Sequence, residues 1–333
     1  MRNLVRVSLL LLLGAWPAAA DEVPGRPGIR AAAELFLQGR LSEAIEAYQA
    51  LESEAISDEA NDVAAGLSEV YIALGDWPMA HRTLTAALDG NPDAAGLWGR
   101  LAELQFGTGD WEAARTSAEQ ALRRDSDALR ARLVLAHLAR ETGRFDEALN
   151  GYRWFVRYYN RVQPEDAVSL RYVAEGSLEY ARWSGTSSVF HFVVNTLCPD
   201  AIQADPLDWR TTVLSGNLLL EKYNDGQAVE EFTSALKLNP TAIEACVGLG
   251  RAELQRREAE HARELGDRAL AWNSHSFEAL LLRAEVELLK DDAANALALV
   301  EGALDVNPRE LRALACRTFC DWMEGRLTAV DRW

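Results

Sequence analysis

The sequence has 333 residues, 49% of them hydrophobic, and a formal net charge of −17 at pH 7. A chain with this much negative charge repels nucleic-acid phosphates, and it has no basic stripe that would offset the repulsion. Nucleic acid is therefore excluded as a partner. The length fits either two globular domains or one elongated array of repeats.

The N-terminus has the features of a secretory signal peptide. Arg2 and Arg6 provide a charged start, residues 7–15 are apolar, and the small residues 18–20 precede Asp21 as at a cleavage site. The apolar run is shorter than the roughly 20 residues that span a bilayer. We therefore expect residues 1–20 to be removed, which takes the charge from −17 to −19 and leaves no membrane span.

The signal predicts a periplasmic or secreted protein. No Cys follows the apolar run, which argues against a lipoprotein. Residues 21–28 contain two Pro and two Gly and are predicted to be a flexible lead-in.

From this point a pattern of Gly, a bulky residue two positions on, and a small residue five positions on recurs along the chain. Its starts are Gly39, Gly75, Gly109, Gly143 and Gly325. A second marker is an Asn-Pro pair, found at Pro92, Pro240 and Pro308, with equivalent positions 34 residues apart. A fixed period of 34 residues is typical of a solenoid of helical hairpins.

These motifs resemble tetratricopeptide repeats (TPR), and with the signal peptide the chain looks like an extracytoplasmic bacterial TPR protein. The resemblance implies an all-α fold, a right-handed superhelical solenoid of paired antiparallel helices. It divides the chain into repeats 1–4 (29–162), an expanded repeat 5 (163–208), repeats 6–8 (209–310) and an incomplete terminal repeat (311–333).

Repeat 5 is about 12 residues longer than the period and rich in aromatic residues. With Gly185 as its turn glycine, its first helix would begin near Arg171 and end near Trp183. Two interpretations of the aromatic cluster stay open. The rings either fill a wider junction between two stacks or form a partner site, since Tyr and Trp are frequent in binding hot spots.

No motif for catalysis or for a cofactor is present. The five His residues are scattered without an H-E-x-x-H helix, and no G-x-S-x-G elbow occurs. The four Cys residues form no C-x-x-C pair, so metal binding is not predicted, while a disulfide among Cys198, Cys246, Cys316 and Cys320 stays open. We expect no enzyme activity, no cofactor and no metal.

In TPR proteins the concave surface comes mostly from the first helix of each repeat, so the resemblance implies where a partner would bind. The candidate partner-binding residues are Arg100, Arg130, His137, Arg140, Arg171, Arg210, Asn217 and Arg251, with Trp183 from the aromatic cluster. The central arginines suggest an acidic peptide segment or a free carboxylate as ligand. The alternative is ordinary solvated helix charge.

The leading hypothesis is a non-catalytic protein–protein interaction scaffold in the bacterial envelope that binds a peptide or protein partner on its concave face. One alternative is a substrate-presenting region of a larger enzyme, such as a peptidase, whose catalytic domain lies beyond Trp333. Another is an oligomerising structural element. The sequence leaves the oligomeric state open.

Overall fold

The computed structural model describes residues 27–52 and 58–326, and every regular element in these two ranges is a helix. The predicted signal peptide and residues 327–333 lie outside the described residues. The helices are α1 (Pro27–Leu37), α2 (Leu41–Glu52), α3 (Asp58–Leu74), α4 (Trp77–Gly90), α5 (Ala95–Gly107), α6 (Trp111–Arg124), α7 (Leu129–Glu141), α8 (Phe145–Val162), α9 (Ala167–Ser184), α10 (Ser187–Phe192), a π-helical turn (Val193–Leu197), α11 (Cys198–Ala204), α12 (Trp209–Glu221), α13 (Asp225–Leu238), α14 (Ile243–Gln255), α15 (Ala259–Trp272), α16 (Phe277–Leu289), α17 (Ala293–Val306) and α18 (Leu311–Met323).

Each helix packs against the next one in sequence, which gives antiparallel pairs stacked into a solenoid. The small residues predicted at the helix crossings are buried, as at Ala80, Ala114 and Ala148. Large rings fill the spaces that small residues leave: a Cβ on Gly176 would collide with Phe155. Close packing of helix axes therefore explains the periodic Ala and Gly residues. The predicted all-α TPR-like solenoid is confirmed.

Helix α1 begins at Pro27, two residues inside the segment predicted to be a flexible lead-in. Proline at a first helical position has no N–H to leave unpaired and has its φ already set for the helix. Gly28 also lies in this helix, where a Cβ would meet the side chain of Leu51. Residues 27 and 28 are thus helical, and residues 21–26 of the predicted lead-in lie outside the described residues.

The extra length of repeat 5 lies in both of its helical arms. Helix α9 has 18 residues, against 13 or 14 in most of the others, and α10, the π-helical turn and α11 follow one another from Ser187 to Ala204. Helix α8, the last of repeat 4, also has 18 residues. Gly185 ends α9 with a φ of 67°, as predicted for the turn glycine. Helix α9 begins at Ala167 and not near Arg171, because the Asp166 carboxylate accepts a hydrogen bond from the Ser169 N–H and caps the helix there.

Six of the junctions between repeats share one kind of turn. In each, an Asn or Asp side-chain oxygen accepts a hydrogen bond from the backbone N–H two residues later. The residues are Asn91, Asp125, Asp205, Asn239, Asn273 and Asn307. Asp125 and Asp205 are exposed, whereas the last three asparagines are buried, with at most 6% exposed. Asparagine suits these three buried positions because its amide is neutral, whereas an ionised carboxylate would be costly to bury there.

These three asparagines are buried because the solenoid returns to its own beginning. The turn glycines of repeats 1, 2 and 3 lie against the junctions that follow repeats 6, 7 and 8. The contacts, which we call the seam, are Gly39 with Thr241, Gly75 with Asn273, and Gly109 with Asn307. At each, a Cβ on the glycine would lie closer than 3.0 Å to the partner side chain, so glycine allows the approach.

Further contacts hold the same two parts of the chain together. The Asn273 side-chain amide donates a hydrogen bond to the Ile72 carbonyl oxygen at 3.4 Å. The Arg309 guanidinium lies 4.8 Å from the ring centre of Trp111. Leu37 packs into the core cluster that contains Trp209. The solenoid therefore closes into a ring around a central space, and the first helices of the repeats face that space.

Candidate functional site

A central cavity of about 590 Å³ lies inside the ring. Side chains from both ends of the chain line it, because the seam brings the first and last repeats together. Charged residues on its wall are Glu69, Arg100, Glu103, Arg130, Arg171, Glu175, Arg210, Glu244 and Glu278, and rings on its wall are Phe36, Trp77, Phe106, Tyr172, Trp209 and Phe277. The volume falls in the usual range for ligand-binding cavities.

The structure brings five of the nine predicted partner-binding residues to this cavity and places four elsewhere. The five are Arg100, Arg130, Arg171, Arg210 and Asn217. The other four are His137, Arg140, Arg251 and Trp183. Binding by any of these nine residues stays a prediction, but the five that share one wall make a continuous candidate surface.

The Glu69 carboxylate on α3 links three repeats at the cavity wall. It pairs with Arg100 of the next repeat, and its second oxygen lies 2.6 Å from Nη2 of Arg210 on α12. Burial by itself would raise the pKa of Glu69. The guanidinium groups of Arg210, Arg100 and Arg130 outweigh that effect and hold the pKa well below its usual range.

The other two cavity arginines also have carboxylate partners. Arg130 pairs with Glu103, and Arg171 lies 3.1 Å from the Asp208 carboxylate. Both guanidinium groups contact the Tyr172 ring, at 5.2 and 5.1 Å from its centre. An acidic ligand would therefore have to compete with carboxylates already in place.

Five glutamates and four arginines line the cavity, which gives the wall a surplus of acid. Glu244 and Glu278 make no ion pair with any described residue, and Glu175 is 3.7 Å from Arg171. Burial raises the pKa of Glu278 to about 7, helped by the Glu244 charge. Burial also raises the pKa of Glu175 to about 7, although Arg171 opposes it. Glu278 and Glu175 can therefore take up a proton or a ligand cation near neutral pH.

His137 and Arg140 lie behind the cavity wall on α7. The His137 ring stacks on Phe106 with centroids 5.8 Å apart, and its Nδ1 lies 2.8 Å from the Tyr152 hydroxyl. Burial, and next the Arg140 charge, lower the pKa of His137 to about 4. Arg140 binds Glu179 at 2.9 Å. Both residues have structural partners within the protein.

Arg251 and Trp183 occupy two further places. The Nε and Nη2 atoms of Arg251 are buried without a hydrogen-bond partner among the described residues, and burial lowers its pKa. Trp183 is 47% exposed and stacks on Phe145 at 5.2 Å. The predicted arginine row is therefore broken after Arg210, and the Trp183 ring lies apart from the cavity.

Sequence reasoning missed the two indole rings on the cavity wall. Trp77 and Trp209 line the cavity, and the Nε1 atom of each has no hydrogen-bond partner among the described residues. Trp77 begins the second helix of its repeat, outside the set of first helices that the resemblance singled out. Its contact with the cavity depends on ring closure, which the 34-residue period does not reveal.

The described residues supply no metal site and no membrane-spanning helix. No group of three or more His, Cys, Asp or Glu residues among them could hold a metal ion. None of their helices is both long and apolar enough to cross a membrane. All four cysteines carry free thiols, and Cys198, Cys246 and Cys320 are buried.

Comparison with known proteins agrees with the helical repeat architecture. The tetratricopeptide repeat family model matches residues 66–128, 100–152 and 213–275. This chain is a tetratricopeptide repeat protein. TPR repeats in general mediate protein–protein interactions, and their fold is in general a non-enzymatic interaction module.

Solved TPR structures share this fold at low sequence identity. The structure of the APC/C hetero-tetramer Cut9–Hcn1 aligns at 15% identity with a TM-score of 0.52, covering 88% of this chain and 55% of that chain. The TPR chain thus spans about half the length of that relative. A tetratricopeptide repeat protein from Parabacteroides merdae ATCC 43184 aligns at 15% identity with a TM-score of 0.49, covering 82% of this chain and 98% of that one. Among curated proteins, none matches this sequence.

Proposed function

We propose that this TPR protein is a non-catalytic interaction scaffold that binds a short peptide segment of a partner inside the central cavity. The observation that carries the proposal is the 590 Å³ cavity, whose wall combines charged side chains with aromatic rings. Such a wall offers apolar contact through Trp77 and Trp209 and polar contact through Asn217. Few convergent polar groups on a mainly apolar surface are what a specific ligand site requires.

The charge on the ligand segment has two candidate signs. An acidic segment would use Arg100, Arg130, Arg171 and Arg210, provided that it displaces their carboxylate partners. A basic segment is the second candidate, and the specific observation that favours it is the surplus of acid at Glu175, Glu244 and Glu278. A basic group would need no displacement of an existing ion pair at Glu244 or Glu278.

The test uses calorimetry on the full mature chain with three synthetic hexapeptides that are acidic, basic or neutral. A variant that fills the cavity is Gly107→Phe, because Gly107 lies on the cavity wall with nothing within 4 Å of a Cβ. The matched control is Gly90→Phe. Gly90 also ends its helix with open space around it, but is not on the cavity wall.

We expect one peptide class to bind, the binding to be lost in Gly107→Phe and the binding to be kept in Gly90→Phe. Binding of the peptide next to Trp77 and Trp209 should also quench the tryptophan fluorescence of the protein. If no peptide binds, or if Gly107→Phe binds as well as the wild type, the cavity is not the site. The sign of the bound peptide decides between the acidic and the basic candidate.

We further propose that the protein acts in the bacterial envelope, because residues 1–20 have the charged, apolar and small-residue segments of a secretory signal. Expression in a bacterium followed by osmotic release should give a periplasmic chain that begins at Asp21 by mass spectrometry. A full-length chain in the cytoplasmic fraction would contradict this location.

A further inference from the structure

A second, smaller pocket of about 190 Å³ lies between repeat 4 and the expanded repeat 5, away from the central cavity. It lies between the second helices of repeats 4 and 5, α8 and α10, both of which pack on α9. Its apolar wall consists of Val156 and Tyr159 from α8 and Val189 and Phe192 from α10. None of its lining residues is shared with the central cavity.

The π-helical turn that follows α10 shapes this pocket. Val193 and Leu197 within the turn are fully buried in the core, whereas the preceding Phe192 stays half-buried at the pocket wall. Turns of π-helix are rare and occur mostly as single insertions, often at functional sites. The π-helical turn thus lies directly beside the pocket, next to Phe192 on its wall.

The pocket combines an aromatic wall with a hydroxyl that has no partner. Tyr159 and Phe192 are in edge-to-face contact, with centroids 5.1 Å apart and ring planes at 67°. Ser177 of α9 lines the pocket and is only 2% exposed, and its hydroxyl makes no hydrogen bond with any described residue. As a pocket-lining hydroxyl with no partner in the protein, this group can donate to or accept from a polar atom of a ligand.

The size of the pocket matches a single six-membered ring. A cavity of about 150 Å³ lined by apolar side chains accepts benzene. The additional volume here, next to the Ser177 hydroxyl, leaves room for one more polar heavy atom on the ring. A phenol fits this description better than a plain phenyl group, because its O–H can pair with Ser177.

The surface beside the pocket is basic, which is unusual in so acidic a chain. Arg153 and Arg157 are exposed on α8, and neither makes an ion pair with any described residue. They are one helical turn apart, and Arg157 is three residues before Asn160, which lines the pocket. A partner segment that inserts an aromatic ring into the pocket would therefore carry acidic residues beside that ring, facing Arg153 and Arg157.

We propose that the pocket between α8 and α10 binds the tyrosine side chain of a partner protein, with acidic residues flanking that tyrosine in the partner. The tyrosine ring packs between Tyr159 and Val189, its hydroxyl pairs with Ser177, and the flanking carboxylates face Arg153 and Arg157. The site lies where repeat 4 meets the expanded repeat 5: Arg153, Arg157 and Tyr159 are on α8, and Ser177 and Val189 belong to repeat 5.

The test measures the affinity of the mature chain for a labelled pentapeptide, Glu-Asp-Tyr-Asp-Glu, by fluorescence anisotropy. Matched peptides replace Tyr with Phe or Ala, or replace the acids with Lys. We expect the Tyr peptide to bind most tightly, and the Ala and Lys peptides to lose at least ten-fold in affinity.

Variants of the protein assign the binding to the pocket. Ser177→Ala should weaken the Tyr peptide roughly five-fold, about the effect of one neutral hydrogen bond, without weakening the Phe peptide. Ser188→Trp should block the pocket, since Ser188 is exposed and on the pocket wall. The matched control is Ser187→Trp, because the neighbouring Ser187 is exposed but is not on that wall.

The proposal is overturned if Ser188→Trp binds the Tyr peptide as tightly as Ser187→Trp does, or if Ser177→Ala weakens the Tyr and Phe peptides equally. Circular dichroism of each variant confirms that it is folded. Gly107→Phe, which fills the central cavity, should leave this binding unchanged. Loss of binding in that variant would instead place the Tyr peptide in the central cavity and also overturn the proposal.

Discussion

Nη2 of Arg210 lies 2.6 Å from Oε2 of Glu69, although 141 residues separate the two in the chain. Glu69 also pairs with Arg100 in the adjacent repeat. One carboxylate therefore connects neighbouring repeats and, at the same time, the two ends of the ring. In a plain solenoid each repeat contacts only its neighbours, so ring closure adds cooperativity between distant repeats.

We predict that Glu69→Gln destabilises the fold and opens the ring. The change leaves two guanidinium groups without their partner, and breaking a buried ion pair costs more than an exposed one contributes. Because Glu69 is about one-fifth exposed, we expect a loss of about 2–3 kcal/mol. Chemical denaturation measures the loss, and X-ray scattering measures the larger radius of gyration.

The control for this variant is Glu285→Gln. Glu285 pairs with Arg312 across adjacent repeats at an exposed position, where an ion pair contributes about 0–1 kcal/mol. Equal losses of stability in the two variants would mean that the Glu69 pairs do not hold the ring closed.

Gly75→Ala tests the seam directly. Gly75 has a φ of 75°, and a Cβ there would collide with the side-chain amide of Asn273. Gly143→Ala is the matched control, because Gly143 has a φ of 74° with nothing within 4 Å of a Cβ. Both variants strain the backbone by about 1–2 kcal/mol.

We expect Gly75→Ala to expand the molecule in X-ray scattering and to lower the melting temperature further than Gly143→Ala does. The difference between the two variants isolates the seam from the backbone strain. Identical scattering curves for both would show that the seam does not determine the shape in solution.

Asn273→Asp is expected to destabilise the protein above the carboxyl pKa. Asn273 is 3% exposed at the seam, and an ionised carboxylate there would be desolvated. The same turn at Asn91 is half-buried and outside the seam, so Asn91→Asp is the control. Melting at pH 8 should separate the two variants, while melting at pH 4 should bring them together. Equal melting at pH 8 would contradict the burial argument.

The sequence predicted the helix pairs well because they depend on local patterns. The Gly at a left-handed turn and the Ala at a helix crossing each act within one repeat. Their 34-residue period can therefore be read directly from the sequence. Ring closure depends instead on the accumulated rotation of several repeats. The sequence has Asn at 239, 273 and 307 and Asp at 125 and 205, but it also has Asn at 91, outside the seam, so this choice of residue gains meaning only once burial is known.

The candidate binding residues were harder to predict for the same reason. Position in a first helix correctly brought Arg100 and Arg210 to one wall, yet it gave no information about their carboxylate partners. Glu69 and Arg210 have no periodic relationship that would indicate their contact. Charge on a helix can be read from sequence, but its neutralisation is a property of the folded ring.

Stability should fall in mildly acidic solution because of His137. The folded protein keeps this ring neutral down to about pH 4, whereas the unfolded chain takes up a proton from about pH 6.5. The free energy of unfolding therefore decreases as the pH falls through this window, by roughly 2 kcal/mol at pH 5. His137→Gln, which keeps a polar group near Tyr152, should remove this decrease.

Urea denaturation at pH 7 and pH 5 provides the measurement for His137. His81→Gln is the control, since His81 is exposed on α4. A decrease in stability that persists unchanged in His137→Gln would show that other groups cause the acid sensitivity.

Glu278 gives the opposite dependence on pH. Its pKa of about 7 in the folded protein exceeds the 4.5 of an ordinary Glu, so the unfolded chain loses its proton first as the pH rises. The free energy of unfolding therefore decreases as the pH rises from about 4.5 to 7, and the loss is complete above pH 7.

Glu278→Gln keeps an oxygen that can accept the 3.2 Å hydrogen bond from the Ser276 hydroxyl but cannot ionise. We expect this variant to be more stable than the wild type by about 1–2 kcal/mol at pH 8 and equally stable at pH 4.5. The exposed Glu301→Gln should show no such difference between the two pH values. A Glu278→Gln variant that is no more stable than the wild type at pH 8 would mean that a cation already compensates this carboxylate, and would remove the main support for a basic ligand in the cavity.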